Sequence, residues 1–191
     1  EVSKGLIRVE EGLRDAARAE EPLLAKASRH LIDAGGKRFR ATLVLLAAQF
    51  GNPADERIVP AAVAIELTHL ATLYHDDVMD EALVRRSAPS ANARWSNSVA
   101  ILVGDYLFAR AASVAAELGP VAVSIQAATF ARLVHGQIAE TVGPRPGADP
   151  VQQICLRRTG VGVGDDERVD GGGAQQLVVP VERVLGVTRE Q

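Results

Sequence analysis

The chain of 191 residues holds one cysteine, one tryptophan, one methionine and three lysines, none of the lysines after Lys37. Each scarcity excludes something. A lone Cys155 rules out an intrachain disulfide framework and fits a reducing compartment, so a cytoplasmic protein is expected. With seven aromatic residues but 47% hydrophobic content, the core must be built from Ala, Leu and Val, which suits helices packed through small side chains. A net charge of −3 gives no sign of bulk binding to nucleic acid or an anionic membrane. No uninterrupted apolar run reaches the roughly 18 residues needed for a membrane span, and no signal peptide is evident. The only methionine, Met79, lies well inside the chain, so a trimmed chain or a fragment is expected.

What is present divides near residue 147. Residues 1–147 read as a helical domain made of amphipathic segments with clear punctuation. One or two helices cover roughly 5–33, interrupted near Pro22 and stopped by Gly35-Gly36. "RFRATLVLLAAQF" predicts a mostly buried helix, and a long helix follows over roughly 56–82 with Asp55 as N-cap. "VRRSAPSANARW" reads as a loop. Further helices are predicted from Ser96 to Leu118 and from Val121 to Val142. Residues 148–191 carry Gly and Val without helical period, and read as a divergent tail, loop or disordered.

The long helix ends in "LATLYHDDVMDEALVRR". Asp76 and Asp80 lie one turn apart on one face, with Asp77 about 100° round. Like charges at that spacing repel unless a cation neutralises them. Hard oxygen donors, with room left for water and phosphate oxygens, suit magnesium. The plainer alternative is a solvated acidic face near a helix end. His69, two turns earlier on the same face, and Arg85 and Arg86 in the adjoining segment weigh against it. Carboxylates and arginines converging on one space suggest an anion bridged by metal, a phosphate or a diphosphate. "AGGKRFR" adds Lys37, Arg38 and Arg40 after a glycine pair at a helix start, where backbone N–H groups favour an anion. Its plainer reading is a helix stop followed by a solvated start.

These segments resemble the trans-isoprenyl diphosphate synthases, the polyprenyl synthetase family of long-chain type. The resemblance rests on "GGKRFR", "ELTHLATLYHDDVMDEALVRR", "NSVAILVGDYLFARA" and "HGQIAETVG", in that order over roughly 30–143. It implies an all-α fold, the N-terminal portion of the isoprenoid-synthase helical bundle. It also implies condensation of isopentenyl diphosphate with an allylic diphosphate to a long-chain polyprenyl diphosphate. By that resemblance Asp76, Asp77 and Asp80 bind Mg2+ on the allylic diphosphate and Arg85 assists there. Lys37, Arg40, His69 and Arg86 hold the diphosphate of isopentenyl diphosphate, and Lys37, Asp76, Asp77 and Arg85 serve catalysis. Ala71 and Thr72, five and four residues before the first Asp, line the chain-length pocket, and their small size implies a long product. A homodimer is implied, with release of the apolar product at a membrane surface.

The pattern departs from the family in three places. A second aspartate-rich motif and later lysines are not found, and "DDERVD", with Asp165, Asp166 and Asp170, has the wrong spacing to replace them. Ser87 stands where Gly usually follows the arginine pair, and Ala41 where Pro is common. The chain therefore reads as half of a metal site, with weak or no turnover expected alone. Two other readings compete: a non-catalytic partner or diphosphate-binding subunit of a prenyl synthase, and a phosphohydrolase using His75 and Asp76 with His69 and Asp105. The last leaves both basic clusters without a role.

Overall fold

A computed structural model describes residues 1–143, which form a helical bundle. The expectations for residues 148–191, including "DDERVD", lie outside the described residues. Helix α1 spans Val2–Ala16 and α2 spans Pro22–Asp33. Pro22 opens α2 at its first helical position, where its missing N–H costs nothing, and Glu21 accepts from the Leu24 N–H as cap. Helix α3 covers Phe39–Ala47 and runs into a 3-10 turn, Ala48–Phe50. The long helix α4 spans Ile58–Met79, α6 spans Asn97–Glu117 and α7 spans Pro120–Val142. Ser96 caps α6 by accepting from the Val99 N–H at 3.2 Å.

Three local expectations are corrected. Asp55 does not cap α4: its carboxylate accepts from the Arg57 backbone N–H at 2.9 Å and pairs with the Arg57 side chain, folding the turn before the helix. Helix α3 is not mostly buried, because α1 and α4 pack against one side only. Ala41 and Leu45 are enclosed while Phe39, Leu43, Leu46 and Phe50 stay exposed among the described residues. The segment read as a loop holds two short strands, β1 (Val84–Arg85) and β2 (Ala88–Pro89), then one turn of helix, α5 (Ala91–Arg94). The strands pair antiparallel with Arg85 opposite Ala88, so Arg86 and Ser87 form a two-residue hairpin turn. Both have positive φ, 53° and 62°, as a hairpin of the type I′ class demands.

The core lies around α4. Val9 and Leu13 from α1, Leu31 and Ile32 from α2, Leu67, Leu70 and Tyr74 from α4, and Val103 and Leu107 from α6 are buried together. Tyr74 is fully buried. Its hydroxyl donates to the Ala27 carbonyl at 2.5 Å and accepts from the Leu31 N–H at 3.3 Å, tying α4 to α2. The most extensive helix contact is α4 on α6, made close by small residues. A Cβ on Gly104 would fall 2.2 Å from Nε2 of His75, so α4 sits where only glycine admits it. By length and composition α4 and α6 could each cross a membrane, contrary to the reading of apolar runs, because few polar residues interrupt them. In the fold α4 is half enclosed by the bundle and carries a buried Glu66 and Asp77, as a core helix does.

Ser87 occupies a backbone region that glycine enters without strain. Replacing it, Ser87→Gly should stabilise the protein by about 1 kcal/mol, measured by urea unfolding, with the hairpin intact. A neutral or destabilising result would mean that the turn does not hold this geometry in solution.

Candidate functional site

The acidic wall forms at the C-terminal end of α4. Asp77 is fully buried, and one of its oxygens, Oδ1, receives Arg85 twice, from Nε at 2.7 Å and from the terminal nitrogen at 2.5 Å. Its other oxygen makes no hydrogen bond. The helix turn therefore divides the triplet. Asp77 faces inward to Arg85, while Asp76 lines a cavity and Asp80 caps the helix end. Burial, then the like charge of Asp80, raise the Asp76 carboxyl above its ordinary range. A cation between Asp76 and Asp80 would relieve both costs. Among the described residues no three acidic, histidine or cysteine side chains come together as a group that could hold a metal ion. The end of α4 is braced by α5, where Asn92 donates to the Asp77 and Ala82 carbonyls at 3.2 and 3.1 Å, and the Ser90 hydroxyl donates to the Ala82 carbonyl at 2.5 Å.

The cationic wall faces His69. Lys37 and Arg40 are exposed at the start of α3. Arg38, between them, is buried in a structural role. It binds Glu10 of α1 at 2.5 Å and donates to the Ile32 carbonyl at 3.0 Å, and so leaves the anion-binding set. The backbone at that helix start is also partly committed, since the Ala41 N–H donates to the buried Glu66 carboxylate at 3.0 Å. The glycine pair serves Arg86 instead. The Arg86 guanidinium donates to the Leu31 carbonyl at 2.8 Å and to the Gly35 carbonyl, and a Cβ on Gly36 would fall 2.9 Å from its central carbon. Burial and then the neighbouring Arg38 lower the Arg86 pKa from its ordinary value. For His69, burial followed by Arg40, Arg86, Arg38 and Arg85 depresses the pKa to about 4. The ring is neutral at pH 7 and sits among guanidinium groups.

Both walls border one cavity of about 570 Å³, framed by α3, α4, α6 and α7. Arg40, His69, His75 and Asp76 contribute to its rim, and Thr72, Ile65, Phe108, Phe130 and Leu133 to its apolar body. Of the two chain-length candidates, Thr72 lines the cavity and Ala71 does not; Ala71 is fully buried in the core. The sequence reading also passed over Gln126 and Gln137 of α7, which line the cavity. "GQ" inside an apolar helix was the available signal for Gln137, and nothing distinguished Gln126. His75 contacts Asp105 at 3.3 Å and the Ile101 carbonyl at 3.2 Å, and stacks obliquely on Phe108. His69, His75, Asp76 and Asp105 do not come together as a metal-holding group among the described residues, and the phosphohydrolase reading gives way.

An almost wholly helical fold thus brings Asp76, Arg40 and His69 to the rim of one largely apolar cavity. The chain belongs to the polyprenyl synthetase family, whose sequence pattern matches residues 21–160. Its likeness to a nonaprenyl diphosphate synthase of Mycobacterium tuberculosis is 47% identity, over 97% of this chain and 58% of that protein. Heptaprenyl diphosphate synthase component 2 of Geobacillus stearothermophilus is also 47% identical, over 82% of this chain and 49% of that one. A solved geranylgeranyl pyrophosphate synthase from Corynebacterium glutamicum, complexed with calcium and isoprenyl diphosphate, superimposes with a TM-score of 0.69. It is 50% identical over 80% of this chain and 46% of that chain. The chain thus spans about half the length of the relatives it matches, and the likeness continues beyond residue 147.

Two measurements check this geometry. Arg85→Ala should destabilise the protein by about 3 kcal/mol in urea unfolding, since it strands the buried Asp77 charge, whereas Asp77→Asn should cost less. Equal costs would show that Asp77 is not held as an isolated buried anion. His69 supplies a pH signature. Its folded pKa, about 4, lies below the ordinary 6.5, so the unfolded chain binds more protons between those values. Stability should therefore fall as pH falls through that window, and His69→Gln should remove part of the fall. An unchanged profile in the variant would place His69 in a different environment.

Proposed function

We propose that this chain carries the first substrate-binding half of a trans-prenyltransferase that condenses isopentenyl diphosphate with an allylic diphosphate into a long-chain polyprenyl diphosphate. The observation that carries the reading is one largely apolar cavity lined by Asp76, Arg40 and His69, with Asp80 acting on Asp76 and Arg86 on His69 from close by. Two of the relatives, a nonaprenyl and a heptaprenyl diphosphate synthase, support the long-chain reading.

In this reading Asp76 and Asp80 would hold Mg2+, which when bound supplies Lewis-acid stabilisation of the departing diphosphate. Asp77 fixes Arg85, whose remaining N–H groups face the same allylic diphosphate and stabilise its developing charge. Lys37, Arg40 and Arg86 hold the second diphosphate, with His69 able to take a proton once an anion offsets the surrounding arginines. Arg86 is already aimed by two carbonyls, so little orientation is left to lose on binding. The apolar body of the cavity shields the reacting carbon from water and takes up the tail, with Thr72 small enough to let it pass. No side-chain nucleophile is required. A cytoplasmic homodimer that hands its apolar product to a membrane surface completes the proposal.

A second reading makes the chain a partner or diphosphate-binding subunit of a prenyl synthase. The relative named as component 2 of a heptaprenyl diphosphate synthase favours it. Incorporation of radiolabelled isopentenyl diphosphate into acid-labile prenyl product separates the two. The chain alone should give weak or no incorporation; turnover at the level of a full-length relative would overturn the half-site reading. Activity that grows on mixing with a synthase inactivated at its own first aspartate motif would favour the subunit reading.

A further inference from the structure

Arg38 departs from ordinary preference in three ways at once. It is only 6% exposed, its Nη1 is buried without a hydrogen bond, and its backbone lies in the left-handed region at φ 44°, which arginine rarely enters. It stands at the N-cap of α3, directly after Lys37 and two positions before Arg40, both of which are exposed. Among the described residues the carboxylate that answers its charge comes from α1. Glu10 accepts from Nε at 2.5 Å through one oxygen and from Nη2 at 3.3 Å through the other. Nη2 also donates to the Ile32 carbonyl at 3.0 Å. The chain on either side is held by other groups: Arg86 donates to the Gly35 carbonyl, and Glu66 accepts from the Ala41 N–H at 3.0 Å. Between those two points the Arg38 side chain is what anchors the backbone to the bundle.

We infer that Glu10 is a positioning residue for the cationic wall: by holding Arg38 in the interior, it fixes the backbone from which Lys37 and Arg40 reach a diphosphate. This rests on the prenyltransferase reading, in which Lys37 and Arg40 bind isopentenyl diphosphate; Glu10 acts through Arg38 and not on the ligand. Without the carboxylate, Arg38 is a buried cation with no counter-charge on a strained backbone. One movement relieves both, the side chain leaving the interior as φ returns to negative values. Gly35 and Gly36 let the preceding chain follow. Lys37 and Arg40 lie within two residues of the pivot and turn with it. The acidic wall is braced separately, by Arg85 on Asp77 and by Asn92 at the end of α4. A plain tether between α1 and α3 would also weaken the fold when Glu10 is lost, but it would not single out one of two diphosphates.

The experiment is calorimetric titration of the 191-residue chain with isopentenyl diphosphate in the absence of metal, and separately with geranyl diphosphate and magnesium. Glu10→Ala should weaken isopentenyl diphosphate binding roughly tenfold, as loss of one charge-assisted hydrogen bond predicts, and leave geranyl diphosphate binding as before. The double variant Glu10→Ala/Arg38→Gly removes the buried cation and places a residue that enters the left-handed region without strain. It should regain most of the lost affinity although α1 and α3 remain untied, a rescue that a tether does not give. If Glu10→Ala misfolds by circular dichroism, Glu10→Gln decides, since it keeps an acceptor for Arg38 without the charge and should show a smaller loss confined to isopentenyl diphosphate. Unchanged affinity, an equal loss for both ligands, or no recovery in the double variant overturns the positioning role while the prenyltransferase reading stands. If the unaltered chain does not bind isopentenyl diphosphate, the reading of the cationic wall falls and the role of Glu10 with it.

Discussion

The ion pair between Asp77 and Arg85 organises the region where the chemistry lies. A carboxylate with no solvent exposure at the end of α4 has one charged partner, and leaving it unpaired costs several kcal/mol. The chain that leaves α4 is therefore obliged to return across its end. The return is short, because a two-residue hairpin follows Arg85 directly, and the next side chain, Arg86, lands against the carbonyls of Leu31 and Gly35. One buried pair thus connects the acidic end of α4 with the cationic pocket beside α2 and α3. Neither wall can shift far without disturbing the other.

Helix α4 divides its circumference among three tasks. One side meets α6 through small residues, another meets α1 and α2 through Leu67, Leu70 and Tyr74, and a third borders the cavity with Ile65, Thr68, His69, Thr72 and Asp76. The last face collects charge of both signs without internal neutralisation. Asp76 is raised by burial and by Asp80, and His69 is depressed by burial and four arginines. Each cluster is destabilised alone, and each would be relieved by what the other kind of ligand brings: a cation for the acids, a diphosphate for the arginines.

Much of this was legible along the chain because the punctuation is local. Gly35-Gly36, Gly51-Asn52-Pro53 and Gly119-Pro120 end helices for backbone reasons that any fold must respect, and the four principal segments sit where periodicity puts them. DDxxD and the two basic clusters were visible as residue types at set spacings. What spacing cannot express is which member of a cluster the tertiary structure claims. Arg38 and Arg40 are two residues apart, yet Glu10, 28 positions upstream, takes Arg38 into the interior and leaves Arg40 at the rim. Asp77 and Asp76 are adjacent, and 100° of helix turn separates a buried anchor from a cavity-lining ligand. Ala71 and Thr72 divide in the same way. The hairpin escaped notice because Arg86-Ser87 lacks the glycine that usually marks its turn type.

The departures from ordinary structural economy are concentrated beside the rim of the cavity. Arg38, Arg86 and Ser87 hold left-handed backbone angles, one oxygen of Asp77 and one nitrogen of Arg38 are buried without a hydrogen bond, and His69 is neutral among guanidinium groups. Deeper in the cavity the helices are regular and the lining is mostly apolar, with Thr68, Gln126 and Thr129 among its few polar members. Sequences violate local preference where function demands it and comply elsewhere. By that criterion the rim is where local preference gives way. Rim and depth share one face of α4, since Asp76, Thr72 and Thr68 all line the cavity along the same helix.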